Sequence, residues 1–375
     1  MSERSVVFLF GLVVVCFACS CQEGVKVGTK IPEVRGDQVL TVEQMREDLH
    51  YVVETLREVH PQTCEGFSDS QERLIESLFA RIDGAMEARR FYLVVAELIS
   101  SMRDGHTFLR PMKGAQNRSV NIAMRWLKDG LYVTTDCEPF RAGDRVVAIG
   151  GRASNELIEQ LWRYIPSENE HYLACQSADA LSREAYLEEL GLIDGGQTEW
   201  TVLRGGREET LSTELFDGKV YYGIGARRHW VGYTIDEDAS MGVFHLDICR
   251  WNEEYRDTVR AFFDQVSRHQ IEHVVVDLRR NPGGNSHVIR ELLRYLDVER
   301  YRGFGVETRH SKASAKQRGT SRWGVARFAA GKMQTNSKCP DPDLLFRGGL
   351  YVLSSPIEAP QTIAGPRFTS STVDL

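Results

Sequence analysis

The sequence predicts a multi-domain α/β protein. Apolar residues recur at helical spacing between 41 and 105, short strands joined by glycine turns fill 119–217, and a strand–helix–strand alternation begins near 220. A chain of 375 residues is long enough for two or three domains. Hydrophobic residues make up 42% and charged residues 26%, a balance that buries a core in water. The net charge is −7 and no basic run stands out, which makes nucleic acid a poor partner.

Residues 1–21 read as a leader. Arg4 precedes an apolar run from Val6 to Ala18, which is short for a bilayer span and has the layout of a secretory signal. Ala18-Cys19-Ser20-Cys21 resembles a bacterial lipoprotein box, with Cys21 the preferred lipidation site and Cys19 the second. A plain signal peptide or an uncleaved anchor is the alternative. In each case the chain leaves the cytoplasm, and lipidation predicts a cell-envelope protein held to the membrane, periplasmic or on the outer surface. The other five cysteines (64, 137, 175, 249, 339) form no Cys-x-x-Cys pair, so neither a zinc site nor a disulfide framework is signalled.

A helical domain is expected over 38–112. Met45, Leu49, Val52, Val53 and Leu56 share one helical face, opened by a Thr41/Gln44 capping box and stopped by Pro61. Leu74, Ile75, Leu78, Phe79 and Ile82 mark a second helix over roughly 70–83, ending at Gly84. A third, "RRFYLVVAELISSMRDG", runs to Gly105 and displays His106 on the turn that follows. A histidine there suits a helix C-terminus or a domain edge. It is also placed to reach a second domain.

A β-rich domain follows over 119–217. "RWLKDGLYVTT" is a hairpin about Asp129-Gly130. "FRAGDRVVAIGGRASNELIEQL" reads as turn, strand, tight turn and helix, and a closing hairpin turns at Gly205-Gly206. This order resembles a PDZ domain, which takes a peptide C-terminus by strand addition. A structural insert that binds nothing is the alternative.

The last domain, 220–375, alternates strand and helix. "MGVFHLDI", "NEEYRDTVRAFFDQVSRH" and "IEHVVVDL" form one such unit, followed by Pro282-Gly283-Gly284 and a helix over "SHVIRELLRYL". A glycine pair between strand and helix presents N–H groups suited to a phosphate or to an oxyanion. Phosphate fits poorly, since neither a Walker nor a dinucleotide glycine pattern is present.

"DLRRNPGGNS" resembles the signature of the tail-specific, or C-terminal processing, serine peptidases, a family that includes the tricorn core peptidases. The order of a helical unit ending in "DGHT", a PDZ-like module and the signature strand is similar too, from residue 38 to about 355. The resemblance implies a crotonase-like (ClpP-like) α/β catalytic core and hydrolysis of peptide bonds in exported polypeptides. It gives His106 the role of general base and the Gly283 and Gly284 amides that of oxyanion hole. Polypeptide substrates, chosen by their C-termini at the PDZ-like module, are the implied partners; no metal or organic cofactor is implied.

The nucleophile departs from the family. After "GGLYVLSSP" the serine's position falls on about Pro360, which has no hydroxyl to activate. Ser354 and Ser355 come early, within the strand, and Ser370 and Ser371 come about ten residues late; Ser355 and Ser371 are the candidates that remain. The family's last helices and supporting acidic residue have no counterpart, so the core is expected to be incomplete and this chain inactive. A non-catalytic homologue that binds peptides or an apolar ligand is the alternative.

Overall fold

The computed structural model describes residues 12–14, 25–26, 35–109, 118–217, 228–303, 306–312, 315, 324–328 and 333–354. The described residues divide into two compact units. The first is built on 25–226 with 12–14 and 309–324, and the second on 227–308 and 325–354. No helix among the described residues is long and apolar enough to cross a membrane.

The first unit opens with α1 (Val42–Val59), α2 (Asp69–Arg81) and α3 (Ala88–Ser101). Thr41 caps α1 as the sequence predicts: its Oγ1 accepts from the Gln44 amide at 3.3 Å, and Gln44 Oε1 accepts from the Thr41 amide at 3.0 Å. Pro61 cannot donate to the helix, and α1 ends at Val59. Met45, Leu49, Val52 and Leu56 then pack with Phe91, Val95 and Leu98 of α3 in a core of their own.

The end of α3 differs from the sequence expectation. The helix stops at Ser101, not at Gly105. Met102 and Arg103 close the last turn through Ile99 and Ser100 carbonyls, and Arg103 takes a left-handed conformation (φ 49°) that a helix cannot continue. Gly105 answers a packing need. A Cβ there would lie 2.8 Å from the Tyr172 ring and 3.0 Å from the Glu168 carboxylate. The chain then enters a short strand, Thr107–Leu109, paired antiparallel with Leu12–Val14.

Five strands of the β-rich segment run in order through a six-stranded antiparallel sheet, whose short sixth strand, Arg152–Ala153, also pairs with Arg145–Ile149. Their order is Arg207–Glu214, Gln197–Arg204, Arg145–Ile149, Gly130–Val133 and Met124–Leu127. The hairpin, strand–turn–helix and closing hairpin occur in the expected order, with α4 (Ser154–Leu161) after the Gly150-Gly151 turn. Two further helices, α5 (Glu170–Ala180) and α6 (Glu184–Glu189), lie in a stretch without a clear apolar period, and the sequence reading passed over them. Asp144 of the Gly-Asp turn is buried and accepts both arms of the Arg204 guanidinium, at 2.9 and 2.7 Å. Trp200 fills the centre of this core, edge-on to Phe140 and donating to Thr213 Oγ1 at 3.0 Å.

The second unit is a four-stranded mixed sheet in the order Val231–Asp236, Met241–Leu246, His273–Asp277, Gly349–Leu353. The first pair is antiparallel and the other two are parallel. The crossover is α7 (Glu253–Arg268), capped by Asn252 Oδ1 on the Tyr255 amide. Phe262 and Phe263 of α7 are fully buried, and Phe263 stacks on Tyr295 at 5.1 Å. The last strand ends at Leu353, so Ser354 stands just beyond it and exposed, not within it. Ser355, Pro360, Ser370 and Ser371 lie outside the described residues, as do Cys19 and Cys21.

Trp200→Ala removes the largest fully buried side chain of the first unit. It should lower unfolding free energy by about 3–5 kcal/mol, read from urea denaturation followed by circular dichroism.

Candidate active site

His106 sits in the turn between α3 and the Thr107–Leu109 strand, and that turn is organised by one carboxylate. Asp104 Oδ1 accepts from the His106 amide at 3.0 Å; Oδ2 accepts from Thr107 Oγ1 at 2.7 Å and from His60 Nε2 at 3.2 Å. His60 is buried at the end of α1, and its Nδ1 accepts from the Gln62 amide at 3.2 Å, which leaves Nε2 to carry the proton toward Asp104. Arg309 donates to the carbonyls of Arg57 and His60, closing the same end of α1.

The ring of His106 points its Nδ1 at two carboxylates. Asp104 Oδ1 lies 3.4 Å away and Glu168 Oε1 3.6 Å away. Glu168 also accepts the Gly105 amide at 2.9 Å. Neither Glu168 nor His60 was foreseen from sequence: Glu168 is 62 positions from His106, and His60 read only as the residue before a helix-stopping proline. On its other side the turn borders a cavity of about 250 Å³, with Tyr92, Phe108, Tyr164, Tyr172 and Tyr186 among its walls.

This surrounding sets the proton affinity of the site. Burial alone would lower the His106 pKa, but hydrogen bonding to Asp104 and then Glu168, with their charges, outweighs it and lifts the value to about 9. For Asp104 burial acts upward, yet the hydrogen bonds from His106, His60 and Thr107 hold it far below the usual carboxylate range. At neutral pH His106 therefore carries its proton in this state, and it becomes a base only as pH approaches 9. Asp104, His106 and Glu168 also form a cluster of metal-ligand type, whose ligand atoms lie within 4.8 Å of one another.

The glycine pair lies in the second unit. Gly284 has φ +135°, and a Cβ there would fall 2.4 Å from the Cys249 carbonyl oxygen. What stands against the bare turn is thus backbone: Cys249 donates to the Gly283 carbonyl at 3.0 Å and accepts from Asn285 at 2.7 Å. Asn281, fully buried, donates to the Leu246 carbonyl at 2.9 Å and accepts the Gly283 amide at 2.7 Å. In this state the Gly283 N–H is directed to Asn281. The helix beyond, α8 (His287–Leu293), starts after Ser286 and is two turns long, so the pair is not at a strong helix N-terminus.

The charged residues of the signature form a second network. Asp277 accepts both arms of Arg279, at 2.9 and 3.1 Å, and Arg228 NH1 at 3.2 Å. The Arg279 hydrogen bonds hold its carboxyl at about 2 against the effect of burial. Arg228 continues to Asp247 at 2.7 Å, tying the ends of two parallel strands together.

Residues 242–355 match the sequence profile of Peptidase family S41. Over this stretch the chain is similar to that family. The stretch holds the signature strand, the Pro-Gly-Gly turn and the strand up to Leu353. Among solved structures, mature CPAF complexed with lactacystin aligns at TM-score 0.50 with 15% identity, over 71% of this chain and 61% of that one. A point mutant of CPAF aligns at TM-score 0.52 with 13% identity, over 74% and 63%. At these identities the likeness is one of fold, and the chain spans about three-fifths of the length of those structures. No curated protein is significantly similar to it in sequence.

Two outcomes test this geometry. The His106 ring, followed by NMR in the whole chain, should titrate with a midpoint near 9. Because the folded value lies above the unfolded value of about 6.5, its contribution to stability is complete below about pH 6.5 and is lost as pH rises through 9. Gly284→Ala should cost roughly 3 kcal/mol in denaturant unfolding, since a methyl group meets backbone at a strained φ.

Proposed function

We propose that the chain is built as a cell-envelope serine endopeptidase of the kind that cuts exported polypeptides, with His106 as general base, and that it is inactive because the nucleophile is not in place. The observation that carries this reading is the His106 turn: an imidazole on a short loop, backed at Nδ1 by carboxylates. That arrangement leaves Nε2 as the nitrogen that exchanges protons with a hydroxyl. The S41 match over 242–355 supplies the reaction class.

The finer parts of this reading belong to the same proposal. The β-rich module at 119–217 acts as a PDZ-like receptor for peptide C-termini, and the second unit acts as a crotonase-like core. The Gly283-Gly284 turn serves as oxyanion site, which requires the Gly283 amide to leave Asn281 Oδ1 as the substrate oxygen arrives. Cys21 carries a lipid anchor. At Pro360 the chain offers no hydroxyl, so a nucleophile is missing unless Ser355 or Ser371 takes the part. The reading of a non-catalytic homologue that binds peptides is favoured by one observation in particular: the Gly283 amide is already satisfied within the protein.

Fluorophosphonate labelling of the purified 375-residue chain separates these possibilities. No labelling and no casein cleavage are expected, together with binding of peptides that end in free, apolar C-termini. Labelling at Ser355 or Ser371, lost in His106→Ala by several orders of magnitude in rate, would restore the catalytic reading in full. Mass spectrometry of the mature protein should find a lipid-modified Cys21 at the N-terminus; an unmodified terminus beyond it would refute the anchor.

A further inference from the structure

The His106 ring has two carboxylates within reach, and they are not equivalent. Asp104 is a neighbour in sequence whose oxygens are already engaged: Oδ1 by the His106 amide, and Oδ2 by His60 and Thr107. Its position is that of a staple holding the turn closed. Glu168 arrives from a separate loop, and a single oxygen of it contacts two successive residues. Oε1 receives the Gly105 amide at 2.9 Å and stands 3.6 Å from His106 Nδ1. It therefore fixes the backbone and the ring of the same turn at once.

The loop that brings Glu168 is itself tied to the helix that brings His106. Ser100 is buried in α3, and its hydroxyl lies 2.6 Å from the Trp162 carbonyl and 3.0 Å from the Ile165 carbonyl. Arg103 stacks over the Trp162 ring at 4.5 Å. On the far side Asn169 caps α5 through the Tyr172 amide, and the Tyr172 ring packs against Gly105. Glu168 is thus clamped between two anchored points, each referred back to the end of α3. A carboxylate held so firmly beside an imidazole selects its tautomer.

Resting on the reading of His106 as the working base, we propose that Glu168 is the positioning residue of that base. Its carboxylate holds the Nδ1 proton and leaves Nε2 to exchange protons with the reacting group, while Asp104 and His60 shape the turn. The acidic partner of the site would then come from the loop before α5, within the first unit. Hydrolysis itself is unchanged in balance: His106 takes the attacking hydroxyl's proton and returns it to the leaving amine, and Glu168 keeps its charge throughout.

The test reads the ring directly and needs no turnover. In the ¹⁵N-labelled full-length chain, with the His106 signals assigned from their loss in His106→Asn, the neutral ring above its midpoint should be the Nδ1–H tautomer. Glu168→Gln, nearly isosteric, should shift the population toward Nε2–H and lower the midpoint by about one unit or more. Glu168→Asp should recover part of both effects, and the His60 signals should stay in place in all three proteins. An Nε2–H ring in the wild-type chain overturns the proposal by itself, whether or not any variant folds. So does a Glu168→Gln ring unchanged in tautomer and midpoint, or a tautomer that flips in Asp104→Asn with the turn intact but not in Glu168→Gln. If the ring behaves as expected while neither labelling nor cleavage is found, Glu168 keeps its positioning role and the chain is the non-catalytic homologue.

Discussion

Four donors converge on the Asp104 carboxylate: the His60 ring, the Thr107 hydroxyl, the His106 amide and the His106 ring. A partly buried carboxylate is costly unless its oxygens are met by such donors. Asp104 draws them from the end of α1 and from both sides of its own turn, and so fixes where α1 and α3 terminate relative to one another. The exit from α3 and the start of the Thr107–Leu109 strand follow. Glu168 then adds a contact from a loop far along the chain, and the position of that loop depends on Ser100.

The second unit uses the same device at its Pro-Gly-Gly turn. Asp277 is held by Arg279 and Arg228, and Arg228 passes the constraint to Asp247 on the adjacent strand. Asn281 takes the next step, bridging the Leu246 carbonyl and the Gly283 amide from a fully buried position. A buried amide side chain with its donor and its acceptor both engaged is a rigid spacer. It explains why the Pro-Gly-Gly turn keeps its shape, and it means that shape is first a solution to internal packing against Cys249.

These two turns give the functional reading its particular character. A histidine flanked by two carboxylates is well oriented and holds its proton strongly, so it gives that proton up only at alkaline pH. The Gly283 amide bonds Asn281, so it can meet another acceptor only by a local exchange of partners.

Much of the framework was legible in the sequence because it depends on short-range physics. The Thr41 capping box, the stop at Pro61, the hairpins at Asp129-Gly130 and Gly205-Gly206, and the α7 helix each follow from residues within a few positions of one another. "DGHT" and "DLRRNPGG" were visible as motifs for the same reason, and the S41 match falls on the second. The α5 and α6 helices were not, because their apolar residues meet the core without a regular stripe. Nor was the reason for two glycines: Gly105 yields to Tyr172 and Glu168, and Gly284 yields to the Cys249 carbonyl, all distant in sequence. His60 and Glu168 enter the site only because α1, α3 and the loop before α5 pack together. Which histidine faces which carboxylate is a matter of side chains brought close by folding, and no local spacing encodes it.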